Sequence, residues 1–469
     1  MELLNRKTAK QYYSDPSLEN LLKAVFTKYK GQNGVKGNAR IIVRSKTEAE
    51  KLQNYFGSRV TQLIFPGSEV EVHLAIFSEE LERGYELTIP ELYEVLYNSQ
   101  LLTNREQKEL KLSAWIQLFE KVEHDFINEF NITTVELEQF SQKTFNWFGR
   151  LKNGEGEGYR VLKNISNKGE DAYLDLFVCV SALWYLLMRK KEMLVKQGIS
   201  TGKIRLPTFA AHVTEDPHAF DKKRAGGRLL WHALHDIDNH KSVFDKIQKN
   251  EKTVVPEYLF ERQIYRNFDV LDDDLSSISH IFVPNLVRGT SPRTINLREV
   301  EEIQQLPKYS ALYIIENPSI ISYLADETIH FLNKNDLSLE QLPINFPVLL
   351  CTIGQARTAS KLFIEKCLAS NPNCAIYYSG DIDVPGIQML YGMKEQFTAQ
   401  FNAWRMDSFI YRKYVAPKSK TLSEEDLRLL RSDEGLLERE MVQIGAKVYQ
   451  ESFGKELGKD WIEVICGAI

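Results

Sequence analysis

Residues Ala375–Ile387 read AIYYSGDIDVPGI. The apolar run Ala375–Tyr378 has the composition of a buried strand, and Ser379-Gly380 ends it. Asp381 and Asp383 follow, two residues apart. In extended chain alternate side chains point the same way, so the two carboxylates converge on one side. Pro385 and Gly386 then have the composition of a turn that opens a helix. Upstream, a second apolar run, Ala311–Ile315, ends at Glu316. Three acids at the ends of two buried strands repel one another strongly unless a cation sits among them.

Outward from this stretch the pattern alternates. We expect strand 311–315, helix about 319–333, strand 347–352, helix about 356–369, strand 374–379, helix about 386–398 and strand about 408–414. Ile320, Tyr323, Leu324, Thr328 and Phe331 keep helical spacing, as do Ala359, Leu362, Phe363 and Cys367. This rhythm requires a mainly parallel sheet covered by helices, with its site at the carboxyl ends of the strands. Glu316 and Asp381 fall at those ends.

The rest of the chain divides more coarsely. With 469 residues, two to four domains are expected. Residues 1–100 read as an α+β unit, with a strand Ala39–Val43 and a helix capped by Ser45 and stopped by Gly57. Its helix–strand–helix order and its Arg40, Arg44, Lys46 and Lys51 fit a winged-helix DNA reader or a solvated basic surface. Residues 101–250 are mainly helical, including one long apolar helix over 174–195 that Gly198 stops. Residues 251–304 form a mixed connector, itself open to a winged-helix reading, with strands at His280–Val283 and Thr294–Leu297. Residues 305–415 are the sheet domain, and 416–469 a helical tail for the sheet or a partner. The fold class is thus multidomain: α/β plus mainly helical, with the parallel sheet C-terminal.

Composition narrows the function class. The net charge of −5 does not announce nucleic-acid binding, so local basic patches carry more weight than the total. Cys179, Cys351, Cys367, Cys374 and Cys466 lie in apolar surroundings without a CxxC, as reduced residues of a cytosolic protein do. The N-terminus has no apolar signal core. The longest apolar run, Leu176–Met188, is too short to span a bilayer. His212, Asp216, His218 and Asp221 cluster in sequence without a zinc spacing, and a turn at Asp216-Pro217 is the better reading.

The order strand–Glu, strand–Gly, strand–Asp-x-Asp resembles the Toprim domain of topoisomerases, primases and related nucleases. Glu316 matches the Toprim glutamate, Gly354 a turn glycine, and Asp381 and Asp383 the paired aspartates. GDIDVPGI looks most like the topoisomerase VI A-subunit branch. The runs RLPTFAAHVTEDPHAFD, GGRLLWHAL at Gly226–Leu234 and DDDLSS at Asp272–Ser277 are similar to the JetD subunit of type II Wadjet anti-plasmid systems. The resemblance implies a cytoplasmic homodimeric nuclease that cuts double-stranded plasmid DNA handed to it by an SMC–kleisin–kite motor. It also implies hydrolysis by water without a protein nucleophile.

On that reading Glu316, Asp381 and Asp383 are the catalytic and metal-binding residues. All-oxygen ligands suit Mg²⁺ or Mn²⁺ rather than zinc. Asn317, Arg357 and Ser379 are candidates to support them, and Gly354, Gly380 and Gly386 to permit turns or close approach. Arg357 also fits an ordinary ion pair. DNA contacts are expected from the basic clusters Arg288, Arg293 and Arg298 before the sheet domain and Arg412, Lys413, Lys418 and Lys420 after it. Two other readings stand beside this one. The first is a tyrosine transesterase, for which Tyr265, between Arg262 and Arg266, is the nominee although aromatic packing is the commoner role. The second is a DNA-binding scaffold without catalysis.

Overall fold

Six strands form the sheet that the sequence pattern calls for, in a computed structural model that describes residues 2–57, 62–246, 257–283, 291–397, 400–430 and 435–468. The chain divides into two units, Met1–Ser181 and Ala182–Ile469. Ten strands are described. In order they are β1 (Asn38–Ile42), β2 (Glu69–His73), β3 (Ile204–Arg205), β4 (Val270–Leu271), β5 (Ile278–Phe282), β6 (Arg293–Asn296), β7 (Ala311–Ile315), β8 (Val348–Cys351), β9 (Ala375–Ser379) and β10 (Phe401–Ala403).

In the first unit β1 and β2 pair antiparallel, Asn38 opposite His73, and form a small sheet. Alternate strand residues, Ala39, Ile41, Val70 and Val72, turn inward onto helices Glu19–Gln32 and Leu74–Tyr85. Ser45 caps the next helix by accepting from Glu48 N, and Gly57 ends it at φ 51°. Of the basic residues that suggested a DNA reader, Arg40 pairs with Glu71 at 2.7 Å and Lys51 with Asp15 at 2.8 Å. Beyond residue 100 this unit is helical, starting with Asn104–Phe130, whose cap Thr103 and Glu106 form reciprocally.

The expected long apolar helix is two helices, Ala172–Leu187 and Lys190–Lys196, bent by 91°. The break falls at Met188-Arg189, where both amides return to the Trp184 carbonyl and the Arg189 guanidinium lies over the Trp184 ring. No single helix among the described residues is long and apolar enough to cross a membrane.

In the second unit the sheet order is β10-β9-β7-β8-β5-β6. β10, β9, β7 and β8 run parallel, while β5 joins β8 antiparallel and β6 closes the edge. β7 and β8 are buried at every residue, as strands covered on both faces must be, and consist of ALYII and VLLC. One sequence expectation fails here. Residues 408–414, SFIYRKY, are rich in aromatic and β-branched types, yet they form the helix Ser408–Tyr414. Asp407 caps it by accepting from Ile410 N at 2.9 Å, and that local bond outweighs strand propensity. The edge strand is Phe401–Ala403 instead.

The tail is part of this core. Helix Gly454–Ala468 lies along helix Pro318–Lys334, brought close by Gly454 against Ile320 and Gly458 against the Tyr323 ring. Trp461 is fully buried, donates to Thr328 Oγ1 at 2.8 Å and meets the Tyr313 and Phe346 rings edge-on. Cys179, Cys351, Cys367 and Cys374 are buried free thiols, and Cys466 is exposed. Trp461→Ala is expected to destabilise the C-terminal unit by about 3–5 kcal/mol, the range for emptying a packed indole site. A change below about 1 kcal/mol in urea unfolding would mean that the last helix is not core.

Candidate functional site

β7 sits between β8 and β9, so the connection leaving β7 runs toward β8 while the one leaving β9 runs the other way, toward β10. In such a sheet the strand ends part and a crevice opens at their carboxyl edge. Glu316 is the residue after β7, and Asp381 and Asp383 follow β9. Between the two aspartates Ile382 is fully buried and pairs with Val448, which leaves the carboxylates on the opposite side of the extended chain.

The acids sense one another. Glu316 Oε2 accepts from Asp381 N at 3.1 Å. Burial pushes the Glu316 carboxyl up to about 7, and the Asp381 and Asp383 charges push it the same way. Asp381 is also raised, by burial and then by Asp383 and Glu451, while its bond from Gln450 N and the Lys447 charge oppose the shift. Asp383 caps helix Val384–Gln396 by accepting from Gly386 N at 3.0 Å, and Lys447 Nζ stands 3.8 Å from its other oxygen. Lys447 also pairs with Asp426 at 3.1 Å.

The glycines matter at two positions. A Cβ on Gly386 would lie 2.0 Å from the Asp381 carbonyl oxygen, and one on Gly380 would lie 2.5 Å from Glu316 Oε2. Both allow backbone and carboxylate to approach where any side chain would collide. The buried Tyr378 hydroxyl borders the same space, close to Glu316 but without hydrogen-bond geometry.

The supporting candidates are dispersed around this centre. Asn317 caps helix Pro318–Lys334, accepting from Ser319 N at 3.0 Å, and its amide meets Glu451. Gly354, at φ 78°, donates its N–H to the Glu316 carbonyl at 3.1 Å. Ser379 is fully buried and its carbonyl accepts from Glu316 N at 3.1 Å. Arg357 precedes helix Thr358–Ser370 and donates to the Ser276 carbonyl at 2.8 Å.

The basic candidates are mostly neutralised. Arg293 pairs with Glu299 at 2.5 Å, Arg412 with Glu440 at 2.6 Å and Lys413 with Glu456 at 2.8 Å. Arg298 grips Asp274 through two bonds of 2.9 and 3.0 Å. Lys418 and Lys420 are exposed, and Arg288 lies outside the described residues. The Tyr265 ring is buried, and its hydroxyl is 3.5 Å from the Gly227 carbonyl. Arg262 and Arg266 beside it both engage Asp272, and Arg266 also reaches Glu301. DDDLSS is thus an ion-pair hub: Asp274 also holds Arg205, and Asp273 closes a turn by accepting from Leu275 N and Ser276 N. Gly227 is required where a Cβ would lie 2.3 Å from the Asp221 carbonyl. His218 pairs with Asp221 in a turn where Asp216 accepts from His218 N, while His212, in helix Leu206–Thr214, meets Gln197.

Among the described residues no three His, Cys, Asp or Glu side chains stand ready to hold a metal ion. Each of the three acids accepts from a backbone amide, and Asp383 also faces Lys447. A cavity of about 1380 Å³ is bordered by none of the three acids; Tyr258, Arg262, Tyr265, Arg357, Lys361 and Glu365 line part of it. Sequence reasoning missed Lys447, Gln450 and Glu451, which reach the site from the tail. Their only sequence signal is polarity interleaved with Val448, Tyr449 and Phe453.

Fold and site together define a mixed α/β protein with a carboxylate cluster at the switch point of a mainly parallel sheet. The chain belongs to the family described as protein of unknown function N-terminus (DUF3323), whose model matches residues 35–285, more than half its length. The model described as protein of unknown function C-terminus (DUF2399) matches residues 293–461 and so spans the acids and the tail. No curated protein matches the chain.

The raised pKa of Glu316 has a stability consequence of definite sign. The folded state holds this proton more tightly than the unfolded chain, so stability falls as pH rises from about 4.5 to about 7 and stays low above. Glu316→Gln removes that penalty. In chelator its free energy of unfolding should exceed that of wild type by more at pH 8 than at pH 5, by roughly 2 kcal/mol after allowing for solvent screening. An equal difference at both pH values would exclude the shift.

Proposed function

We propose that this chain is a metal-dependent DNA endonuclease that cuts circular plasmid DNA by water-mediated hydrolysis. In this reading it acts as the JetD-type subunit of a Wadjet defence complex, as a cytoplasmic homodimer served by an SMC–kleisin–kite motor, and its sheet domain is of the Toprim type. The observation that carries the reading is the meeting of Glu316, Asp381 and Asp383 at one crevice, with two of them raised by burial and mutual repulsion. Such a cluster is relieved by a hard divalent cation, and its donors are all oxygen. The matched family segments, covering both the motif region and the acid site, support the resemblance.

Glu316, Asp381 and Asp383 would hold Mg²⁺ or Mn²⁺, which when bound supplies an activated water and charge stabilisation at the scissile phosphate. The chain's own residues prepare for this. Glu316, whose carboxyl burial pushes up to about 7, would have to be deprotonated to serve as a ligand. Lys447 balances Asp383 in the meantime. The ion-paired state of Arg293, Arg298, Arg412 and Lys413, with the net charge of −5, supports weak unassisted capture of DNA and hence delivery by partners.

Plasmid cleavage with the motor partners, in Mg²⁺ or Mn²⁺, tests the reading. Asp381→Asn should lower the rate at least about 100-fold, the scale of losing a metal's several kcal/mol of charge stabilisation. Equal cleavage by both proteins would move the chemistry elsewhere, and cleavage by neither would favour a scaffold role. A covalent protein–DNA adduct lost in Tyr265→Phe would replace hydrolysis with transesterification.

A further inference from the structure

The parallel ladder between β7 and β9 ends at the pair Ile315–Ser379. Beyond that rung the strands part, and polar backbone groups at the mouth of the crevice need partners from elsewhere. Gln450, fully buried, supplies them. Its Oε1 accepts from Asn317 N at 3.1 Å, and its Nε2 donates to the Ser379 carbonyl at 2.9 Å. The primary amide therefore stands in for one more peptide rung between the diverging strands. The backbone N–H of the same residue donates to Asp381 Oδ1 at 2.8 Å. Val448 anchors the segment by two backbone bonds to Ile382, of 2.8 and 3.1 Å.

We infer that Gln450 is a positioning residue of the carboxylate site. It sets the separation of the strand end that bears Glu316 from the one that bears Asp381, and so the geometry in which a divalent cation is taken up. This rests on the cation-binding reading of the site proposed above. Only glutamine fits the position: the role needs a donor and an acceptor at this reach. Glutamate lacks the donor, methionine lacks both, and asparagine is one methylene short.

Mn²⁺ binding to the full-length protein, followed by electron paramagnetic resonance of the free ion well below the melting transition, tests this alongside thermal melts. Wild type should bind, and Asp381→Asn should lose that binding. Gln450→Met, which keeps the volume, should weaken Mn²⁺ about 10-fold or more, the scale for partners that orient metal ligands. Gln450→Asn, the milder change should Gln450→Met fold poorly, should weaken it severalfold. A lower melting temperature with Mn²⁺ affinity within about twofold of wild type in both variants would make Gln450 merely structural and overturn the inference. Indistinguishable binding by wild type and Asp381→Asn is a different failure, because it would remove the cation site itself.

Discussion

β7 has β8 on one side and β9 on the other, and the structure of the second unit follows from that placement. The chain must leave β7 in one direction and come back past it in the other. Helices then cover both faces, and the central strands β7 and β8 are buried at every residue. The switch point falls between β7 and β9, and a crevice opens at their carboxyl ends. Glu316, Asp381 and Asp383 occupy them. Their closeness is therefore a product of topology rather than of any local attraction, and electrostatics works against it.

Opposition on that scale has to be balanced by neighbours. Buried Ile382 and its pairing with Val448 fix the aspartates from behind, and the amides of Asp381, Gly386 and Gln450 meet the carboxylates from the front. Lys447 is the one cation within 4 Å of the three acids among the described residues. Elsewhere the unit spends its cations internally: Arg205, Arg262, Arg266 and Arg298 all converge on Asp272 and Asp274. A surface arranged in this way holds its own fold more firmly than it attracts a polyanion.

Much of the sheet was legible because its signals are strong and local. ALYII, VLLC and AIYYS are short apolar runs with turn signals at their ends, and the helices between them keep a 3.6-residue period. The acids were legible because they interrupt those runs at fixed places. Residues 408–414 were misread because their composition favours a strand while one capping bond at Asp407 decides for a helix. The break at Met188-Arg189 carries no proline or glycine to announce it. The basic clusters were visible, but their carboxylate partners come from as far away in sequence as Glu456 for Lys413, which no local pattern encodes. Gln450 was invisible for the same reason: it acts on strand ends 69 and 133 residues upstream.

That distance has a temporal side. During synthesis at about 5–20 residues per second, the 69 residues between Asp381 and Gln450 take roughly 3–14 s to make. For that interval a nascent chain carries its carboxylates without the amide that joins the two strand ends. A product truncated just before Gln450 would contain Glu316, Asp381 and Asp383 and still lack the amide that bridges their strand ends. The acids are thus made first, and the segment around Gln450 that joins their strand ends comes later.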